Sequence, residues 1–254
     1  MPRKIARYGW IPDLPDQRDH LYTAPREVLL ALPGSIDLRP QCPAVYDQGQ
    51  LGSCTANAIA AAMEFDQMKE QQPQVFLPSR LFIYYNERAI EGTVNTDSGG
   101  QIRDGIKSVA AQGDCPESLW PYDITKFAVK PPQQCYDQAL KFEAVQYESL
   151  PQNSDTLKGC LASGYPFVFG FTVYESFESP QVAQTGHAPM PSPSERAVGG
   201  HAVMAVGYDD SKNWFIVRNS WGAGWGMNGY FTLPYTYLLQ PNLSSDFWTI
   251  RVVS

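Results

Sequence analysis

The 254-residue sequence has few of the features that mark membrane-spanning, nucleic-acid-binding or zinc-binding proteins. No apolar run approaches the roughly 18 residues that a membrane-spanning helix needs, so no membrane association is expected. The 19 lysines and arginines are outnumbered by 26 acidic residues and form no basic stripe, which argues against nucleic acid as a partner. No two of the five cysteines lie two or three residues apart, which argues against a zinc knuckle.

The first 33 residues differ in composition from the rest of the chain. They contain five of the 21 prolines, and proline removes amide donors and breaks helices. We therefore expect an extended surface segment with at most a short helix near Arg26–Ala31. No apolar stretch follows the first basic residues, so the sequence as written predicts no secretory signal. The location is then either the cytoplasm or outside it by a non-classical route.

Residues 34–143 are predicted to be mainly helical, because apolar residues recur there at helical spacing. Gly113 is a suitable stop for the last of the helices. The expected helices are Cys54–Glu70, Ser79–Glu91 and Ile102–Gln112.

Residues 144–254 are predicted to be mainly β-structure, since Val, Ile, Phe and Tyr are concentrated in short runs. The proline-rich stretch 179–200 is predicted to be a long loop that leads into His201, so a gating role is a hypothesis. Helices first and strands second indicate an α+β fold with a cleft between two unlike halves. The expected strands are Ala144–Tyr147, Phe167–Val173, His201–Tyr208, Trp214–Asn219, Gly229–Leu233 and Trp248–Val253.

Cys54 is the first candidate for chemistry. It follows a glycine-rich approach and opens a predicted helix, where the positive end of the helix dipole favours a thiolate. The plainer interpretation is a small buried hydrophobic residue, which is the common role of a free cysteine. The glycines favour the functional interpretation, because they let the backbone come close to a ligand.

His201 and Asn219 are the expected partners of this thiol. Of the three histidines, only His201 lies on a predicted strand, which is a rigid place for a catalytic base. A hairpin turning near residues 210–211 would bring Asn219 beside His201, directly or diagonally, and its amide oxygen could fix the imidazole tautomer. Gln48 could add its side-chain amide to the Cys54 backbone N–H in an oxyanion hole. Taken singly, each of these residues also has an ordinary structural interpretation.

Several segments together resemble the papain-like cysteine peptidases (clan CA, family C1). Gln48–Ala56 resembles the nucleophile segment of that family, Gly200–Tyr208 the histidine segment and Arg218–Tyr230 the asparagine segment. Pro33–Arg39 resembles the start of a mature family member. Asp97–Gly100 resembles the glycine pair that binds an extended substrate backbone.

The resemblance extends from about Leu32 to Val253. It implies a two-lobed fold, with a helical left lobe and an antiparallel, β-barrel-like right lobe on either side of the active-site cleft. It also implies a thiol endopeptidase that acts on proteins or peptides without a metal or other cofactor, with a monomer favoured. The implied catalytic residues are Cys54, His201, Asn219 and Gln48. The implied substrate-binding residues are Gly99, Gly100, Ile102, Gly199, Gly200, Ala202, Trp221 and Trp225.

Within the implied binding set, Ile102, Gly199, Gly200 and Ala202 would surround the S2 pocket, which suggests that it tolerates apolar side chains. Trp221 would shield the His–Asn hydrogen bond, and Trp225 would line the leaving-group side.

Some positions depart from the family pattern. Leu51 stands where the family has a disulfide cysteine, so the usual disulfides are not carried over, although Cys115 and Cys135 could bridge. Residues 1–33 are too short for the long helical pro-segment of many relatives and suggest a short-propeptide bacterial branch. They could inhibit, be trimmed near Leu32–Pro33, or remain as a permanent wrap. Two other functions stay open, a catalytically silent peptidase-like binding protein and an acyl-transferase of transglutaminase type.

Overall fold

The computed structural model describes residues 7–142 and 146–251. The described part contains eight α-helices, several short 3₁₀ turns and seven strands, and none of its helices is long and apolar enough to cross a membrane. In chain order, the α-helices are α1 (Arg26–Leu30), α2 (Cys54–Lys69), α3 (Arg80–Glu91), α4 (Ile102–Gln112), α5 (Gln133–Ala139), α6 (Ser154–Ala162), α7 (Pro180–Thr185) and α8 (Tyr235–Leu239).

The strands form one antiparallel sheet in the order β2-β7-β3-β4-β5-β6, with β1 also paired to β4. Within the described residues the end strands β2 and β6 do not pair with each other, so the sheet is open rather than a closed barrel. The strands are β1 (Ser35–Asp37), β2 (Gln146–Ser149), β3 (Phe167–Tyr174), β4 (Ala197–Asp209), β5 (Trp214–Arg218), β6 (Tyr230–Pro234) and β7 (Ser244–Arg251).

The central helix α2 lies between the other helices and the sheet. Its side chains are buried on almost every face, and alanines make up much of its surface, for example Ala56 and Ala60. Small side chains let neighbouring elements approach the helix closely, which explains a helix without a polar face. As a result, α2 holds Cys54 at the boundary between the two halves.

The three long predicted helices are confirmed to within one residue at each end. Their boundaries have local causes. The Ser79 hydroxyl accepts the N–H of Phe82 at the start of α3, and Gly92 ends this helix in the left-handed conformation. Gly113 follows α4 with a φ of +70°, as its position in the sequence predicts. The short predicted helix near Arg26–Ala31 is confirmed as α1.

The predicted strands are confirmed with shifted ends. The first corresponds to β2, although residues 144–145 lie outside the described part, and the last begins four residues earlier than expected, at Ser244. Residues 252–253 of that last prediction also lie outside the described part. Helices α5, α6 and α8 were not predicted. They are five to nine residues long, too short for a clear periodic signal.

The expectation of an unbroken loop over 179–200 is wrong. Ser179 accepts the Val182 N–H and Pro180 occupies the first turn, so the stretch begins with the helix α7. The carbonyl of Gly186 then accepts the N–H of Thr232 on β6 at 2.8 Å, and β4 already begins at Ala197. These contacts attach the first part of the stretch to the sheet, which favours a scaffold role over gating.

The possible disulfide between Cys115 and Cys135 is absent. All five cysteines lie in the described part of the chain, and all are free thiols. Cys115 and Cys135 are both buried and lie close enough for a sulfur–sulfur hydrogen bond. They pack with Phe82 and Ala139 in a small apolar cluster.

Candidate active site

Cys54 is the first residue of α2 and is completely buried. Its own amide N–H has no intrahelical acceptor, because the first N–H groups of a helix lack one. Burial raises the pKa of the Cys54 thiol to about 12, and backbone hydrogen bonds from Ala202 and Gly9 act in the opposite direction. The contact with Ala202 places the sulfur beside the residue that follows His201.

His201 and Asn219 form a hydrogen bond of 2.8 Å between Nε2 and Oδ1. An amide oxygen can only accept, so Nε2 carries the proton and Nδ1 is the basic nitrogen. Nδ1 has no hydrogen-bond partner within the described residues. Asn219 is itself held, because its Oδ1 also accepts the N–H of Ser220 at 2.8 Å. The pair is therefore set for proton transfer at Nδ1.

The hairpin between β4 and β5 produces this pairing. Met204 lies opposite Arg218, so the next residue, Asn219, lies diagonally from His201, as the sequence predicts. Trp221 stacks on the imidazole with ring centroids 5.0 Å apart, and its residual exposure is 3%. Burial lowers the pKa of His201 to about 4, while the bond to Asn219 raises it. The covered site therefore holds a neutral imidazole.

Gln48 is fully buried and firmly oriented. Its Oε1 accepts the hydroxyl of Ser220 at 2.7 Å, and its amide nitrogen donates to the carbonyl of Leu51 at 2.9 Å. The second N–H of the amide is left for another acceptor. Sequence reasoning found Gln48 but missed Ser220, although Ser220 directly follows Asn219 in the motif.

A polar network fixes the approach to Cys54. The hydroxyl of Tyr122 donates to the Gln48 carbonyl at 3.0 Å and lies 2.5 Å from the Ser53 hydroxyl. Arg80 packs over the Tyr122 ring and forms two hydrogen bonds with Glu117, at 2.7 and 2.8 Å. These residues come from distant parts of the chain, so no local sequence signal could group them with Gln48.

Residues 7–14, which we call the strap, lie in the cleft beside these residues. The backbone N–H of Trp10 donates to the Gly200 carbonyl at 3.0 Å, and that of Ile11 donates to the Gly100 carbonyl at 3.1 Å. Gly100 in turn donates to the carbonyl of Gly9 at 2.8 Å. Gly100, of the pair predicted to bind substrate backbone, and Gly200, predicted to lie at the S2 pocket, thus both bind the chain's own N-terminal region.

Close packing leaves no space for a further side chain along the strap. A Cβ atom on Gly9 would lie 1.7 Å from the Gly52 carbonyl oxygen, and one on Gly99 would lie 2.0 Å from the Gly9 oxygen. The Tyr8 ring covers Gly199 and meets the edge of the His201 ring, with centroids 5.8 Å apart. Sequence reasoning expected an extended N-terminal segment but did not place it against these residues.

The remaining predicted binding residues lie at different depths. Ala202 contacts the candidate nucleophile through its N–H. Ile102 begins α4 and has no exposed surface, while Trp225 packs edge-on against Trp221 with centroids 5.0 Å apart. Gly99 and Gly100 lie beside Gly9, as described above.

Comparison with known proteins agrees with this geometry. Residues 32–239 match the family model described as papain family cysteine protease. An uncharacterised peptidase C1-like protein of Acanthamoeba polyphaga mimivirus is 45% identical, over 97% of this chain and 87% of its own. The crystal structure of xylellain, a cysteine protease from Xylella fastidiosa, superimposes with a TM-score of 0.93 at 47% identity, covering 100% of this chain and 99% of that one. Cathepsin B-like CP3 of Giardia intestinalis is 29% identical, over 79% of this chain and 69% of its own.

The chain belongs to the papain family of cysteine proteases. It is a thiol peptidase with the papain-like α+β fold, and its substrates are proteins or peptides.

Proposed function

We propose that the protein is a cysteine endopeptidase in which Cys54 is the nucleophile, His201 the general acid–base and Asn219 the residue that orients His201. The observation that carries this proposal is the buried 2.8 Å bond from His201 Nε2 to Asn219 Oδ1. It leaves Nδ1 as the proton acceptor of a histidine whose neighbour Ala202 contacts the Cys54 sulfur. Gln48 and the Cys54 N–H provide the two donors for an oxyanion.

The proposed reaction is acyl transfer in two stages. The Cys54 thiol gives its proton to His201, and the thiolate attacks the peptide carbonyl carbon. His201 then protonates the departing amine as the C–N bond breaks, which leaves a thioester on Cys54. Water, deprotonated by His201, attacks the thioester and releases the acid with the thiol restored.

The strap is proposed to hold this site inactive. Gly9 directs a backbone N–H towards the Cys54 sulfur, and an N–H group offers no carbon for attack. The strap also occupies the hydrogen-bonding groups of Gly100 and Gly200 that an incoming peptide would need. Substrate can therefore enter only after the strap leaves the cleft.

Replacement of Cys54 tests the assignment of the nucleophile. An epoxide probe that alkylates activated thiols accumulates on any site that opens even briefly, so it suits a covered enzyme. We expect the probe to label Cys54 in the full-length protein. Cys54→Ala should abolish labelling and reduce peptide hydrolysis by roughly 10⁴-fold or more. Cys160→Ala is the matched control, because Cys160 is an equally buried thiol outside the site. Hydrolysis that survives in folded Cys54→Ala protein would end the proposal.

The two alternative functions make different predictions in the same assay. A silent peptidase-like binding protein would not be labelled at Cys54, since labelling needs an activated thiol. An acyl-transferase of transglutaminase type would incorporate an added amine faster than it hydrolyses the acyl-enzyme. Hydrolysis that outpaces amine incorporation supports the peptidase assignment.

A further inference from the structure

The Trp10 side chain fills a pocket on three adjacent strands, β7, β3 and β4. A Cβ atom on Gly170 of β3 would lie 1.9 Å from the indole, and one on Gly200 of β4 would lie 2.6 Å from it. Bare glycine backbone on two strands therefore makes the room for the ring. Only 8% of Trp10 is exposed. The pocket fits a large, flat side chain.

Asp246 of β7 closes the far end of this pocket. Its Oδ2 accepts the indole N–H of Trp10 at 2.9 Å and the backbone N–H of Asp13 at 2.8 Å. Asp246 has a φ of +59° and lies where the register between β3 and β7 shifts. Such bulges re-aim side chains beside active sites, and aspartate tolerates this conformation better than most residues.

Both of these donors belong to the strap. When the strap leaves the cleft, the Asp246 carboxylate loses two hydrogen bonds. A substrate side chain without a donor would then bury the carboxylate unpaired, which costs more than the bond itself contributes. The sequence suggested a pocket that tolerates apolar side chains, and the acid at its end changes that expectation.

Arg103 helps to decide whether the open pocket recognises a positive charge or an N–H donor on the substrate side chain. Burial raises the pKa of Asp246, and the charge of Arg103, which belongs to α4 rather than to the strap, acts in the opposite direction. The Ser245 side chain also hydrogen-bonds to Asp246. The charge of Arg103 therefore already acts on the Asp246 carboxyl, so N–H donation is a better basis for selection than positive charge.

We propose that Asp246 is a specificity-determining residue that makes the open pocket select peptides with a flat, N–H-bearing side chain, tryptophan foremost, two residues before the cleaved bond. The substrate position follows from Gly200 and Ala202, around which the family resemblance places the S2 pocket. This inference rests on the proposed peptidase function.

A pair of isosteric substrates tests the inference. One peptide carries tryptophan at this position, and the other carries 3-benzothienylalanine, in which sulfur replaces the indole N–H. Both are given together to full-length Trp10→Ala protein, whose pocket is vacated. The ratio of their cleavage rates does not depend on how much of the enzyme is open. We expect tryptophan to be favoured about tenfold.

Asp246→Gly supplies the decisive comparison, because glycine accepts the same backbone conformation. Cleavage of both peptides should continue while the preference falls to about twofold or less. Two results overturn the inference and leave the peptidase function standing. One is equal cleavage of the two peptides by Trp10→Ala protein, and the other is a tryptophan preference that survives when Asp246→Gly is added. Labelling of Cys54 without cleavage of the tryptophan peptide also overturns it. If neither peptide is cleaved and Cys54 is not labelled, the proposed function fails as well.

Discussion

Burial shifts the pKa values of the two candidate reactive residues in opposite directions. It raises that of the Cys54 thiol to about 12 and lowers that of His201 to about 4. Both shifts favour the neutral forms, because a dry site penalises charge. The strap supplies part of that burial, since Tyr8 and Gly9 contact the two residues directly. Its departure would admit water and make the thiolate–imidazolium pair accessible.

Gln48 gives a prediction for a single side chain. Gln48→Ala should lower kcat by about 10²- to 10³-fold with a smaller change in KM, because one oxyanion donor is lost. Ser220→Ala should have a smaller effect in the same direction, since Ser220 only holds the Gln48 amide through its 2.7 Å bond. Steady-state kinetics on an open variant, with melting temperatures as the control, measure both. An unchanged kcat in Gln48→Ala would remove Gln48 from the site.

The sequence predicted the residues of the site that lie within motifs. Cys54, Gln48, His201 and Asn219 could be named because each stands in a short, specific segment. Asp246 could not, since its role depends on a strand register shift and on contact with Trp10, 236 positions away. Tyr122 was missed for the same reason, because its partners are distant in sequence.

At the level of elements, two acidic residues, Asp13 and Asp246, hold the strap together with its backbone hydrogen bonds. Asp13 Oδ1 accepts the backbone N–H of Arg103 at 3.1 Å, and its Oδ2 accepts the Trp248 indole N–H at 2.9 Å. Burial and the nearby Asp246 raise the pKa of Asp13 from 3.8 to about 7, against the effects of those two donors and the Arg103 charge. Arg103 is itself paired with Asp19, at 2.5 Å.

This arrangement predicts how strap opening depends on pH. The closed form keeps the Asp13 proton up to about pH 7, while a solvated aspartate loses it near 3.8. The closed form thus binds more protons within that window, so opening becomes easier as pH rises from about 4 to 7 and changes little above it. Epoxide labelling of Cys54 should follow this course.

Asp246→Asn is the matched control for the pH effect, because it removes the charge facing Asp13. The ratio of wild-type to variant labelling rates cancels the pH dependence of the thiol itself. We expect the ratio to rise severalfold between pH 4 and 7. A ratio that stays constant, or falls, would show that ionisation of Asp13 beside Asp246 does not loosen the strap.

Elements were predicted well where they are long and less well where they are short. The periodicity of Cys54–Glu70 identified α2 without ambiguity. The start signal of α7 was present in Ser179 and Pro180, but the proline content of the surrounding stretch made a loop the more natural interpretation. Short helices depend on tertiary contacts more than on local preference.

At the scale of the whole molecule, the N-terminal region consists of two parts with different roles. The strap covers the cleft, whereas residues 20–24 belong to the body of the fold. Tyr22 and Ala24 are buried, and the N–H of Tyr22 donates to the Ser149 carbonyl of β2 at 2.8 Å. Ala24 packs closely against Gly159 of α6. Trimming near Leu32–Pro33 would remove these core contacts together with the strap.

Two truncations separate these roles. A chain that starts at Asp16 should fold normally and hydrolyse peptides faster than the full-length protein. A chain that starts at Gly34 should melt roughly 5–10 °C lower, because the Tyr22 and Ala24 sites are left empty. Thermal melts and peptide turnover measure both effects. Equal stability of the two chains would mean that residues 20–24 are not part of the core.

The general architecture was predictable because the two halves differ in hydrophobic period. The division into a helical half and a sheet half followed from that difference, as did the cleft expected between them. Sequence reasoning did not tell that the barrel-like sheet stays open, with β2 and β6 not paired with each other in the described structure. Where the strap lies was also beyond sequence reasoning, because its contacts with Gly100 and Gly200 leave no local pattern.

A single added methyl group tests most directly whether a cysteine protease site lies beneath the strap. Gly9→Ala places a Cβ atom against the Gly52 carbonyl oxygen, where no space exists, so the strap should be displaced in the full-length protein. We expect peptide hydrolysis to increase at least tenfold over wild type, and to vanish when Cys54→Ala is added. Leu14→Ala, at the exposed end of the strap, should change little. Unchanged hydrolysis in Gly9→Ala, or hydrolysis that persists without Cys54, would contradict the account.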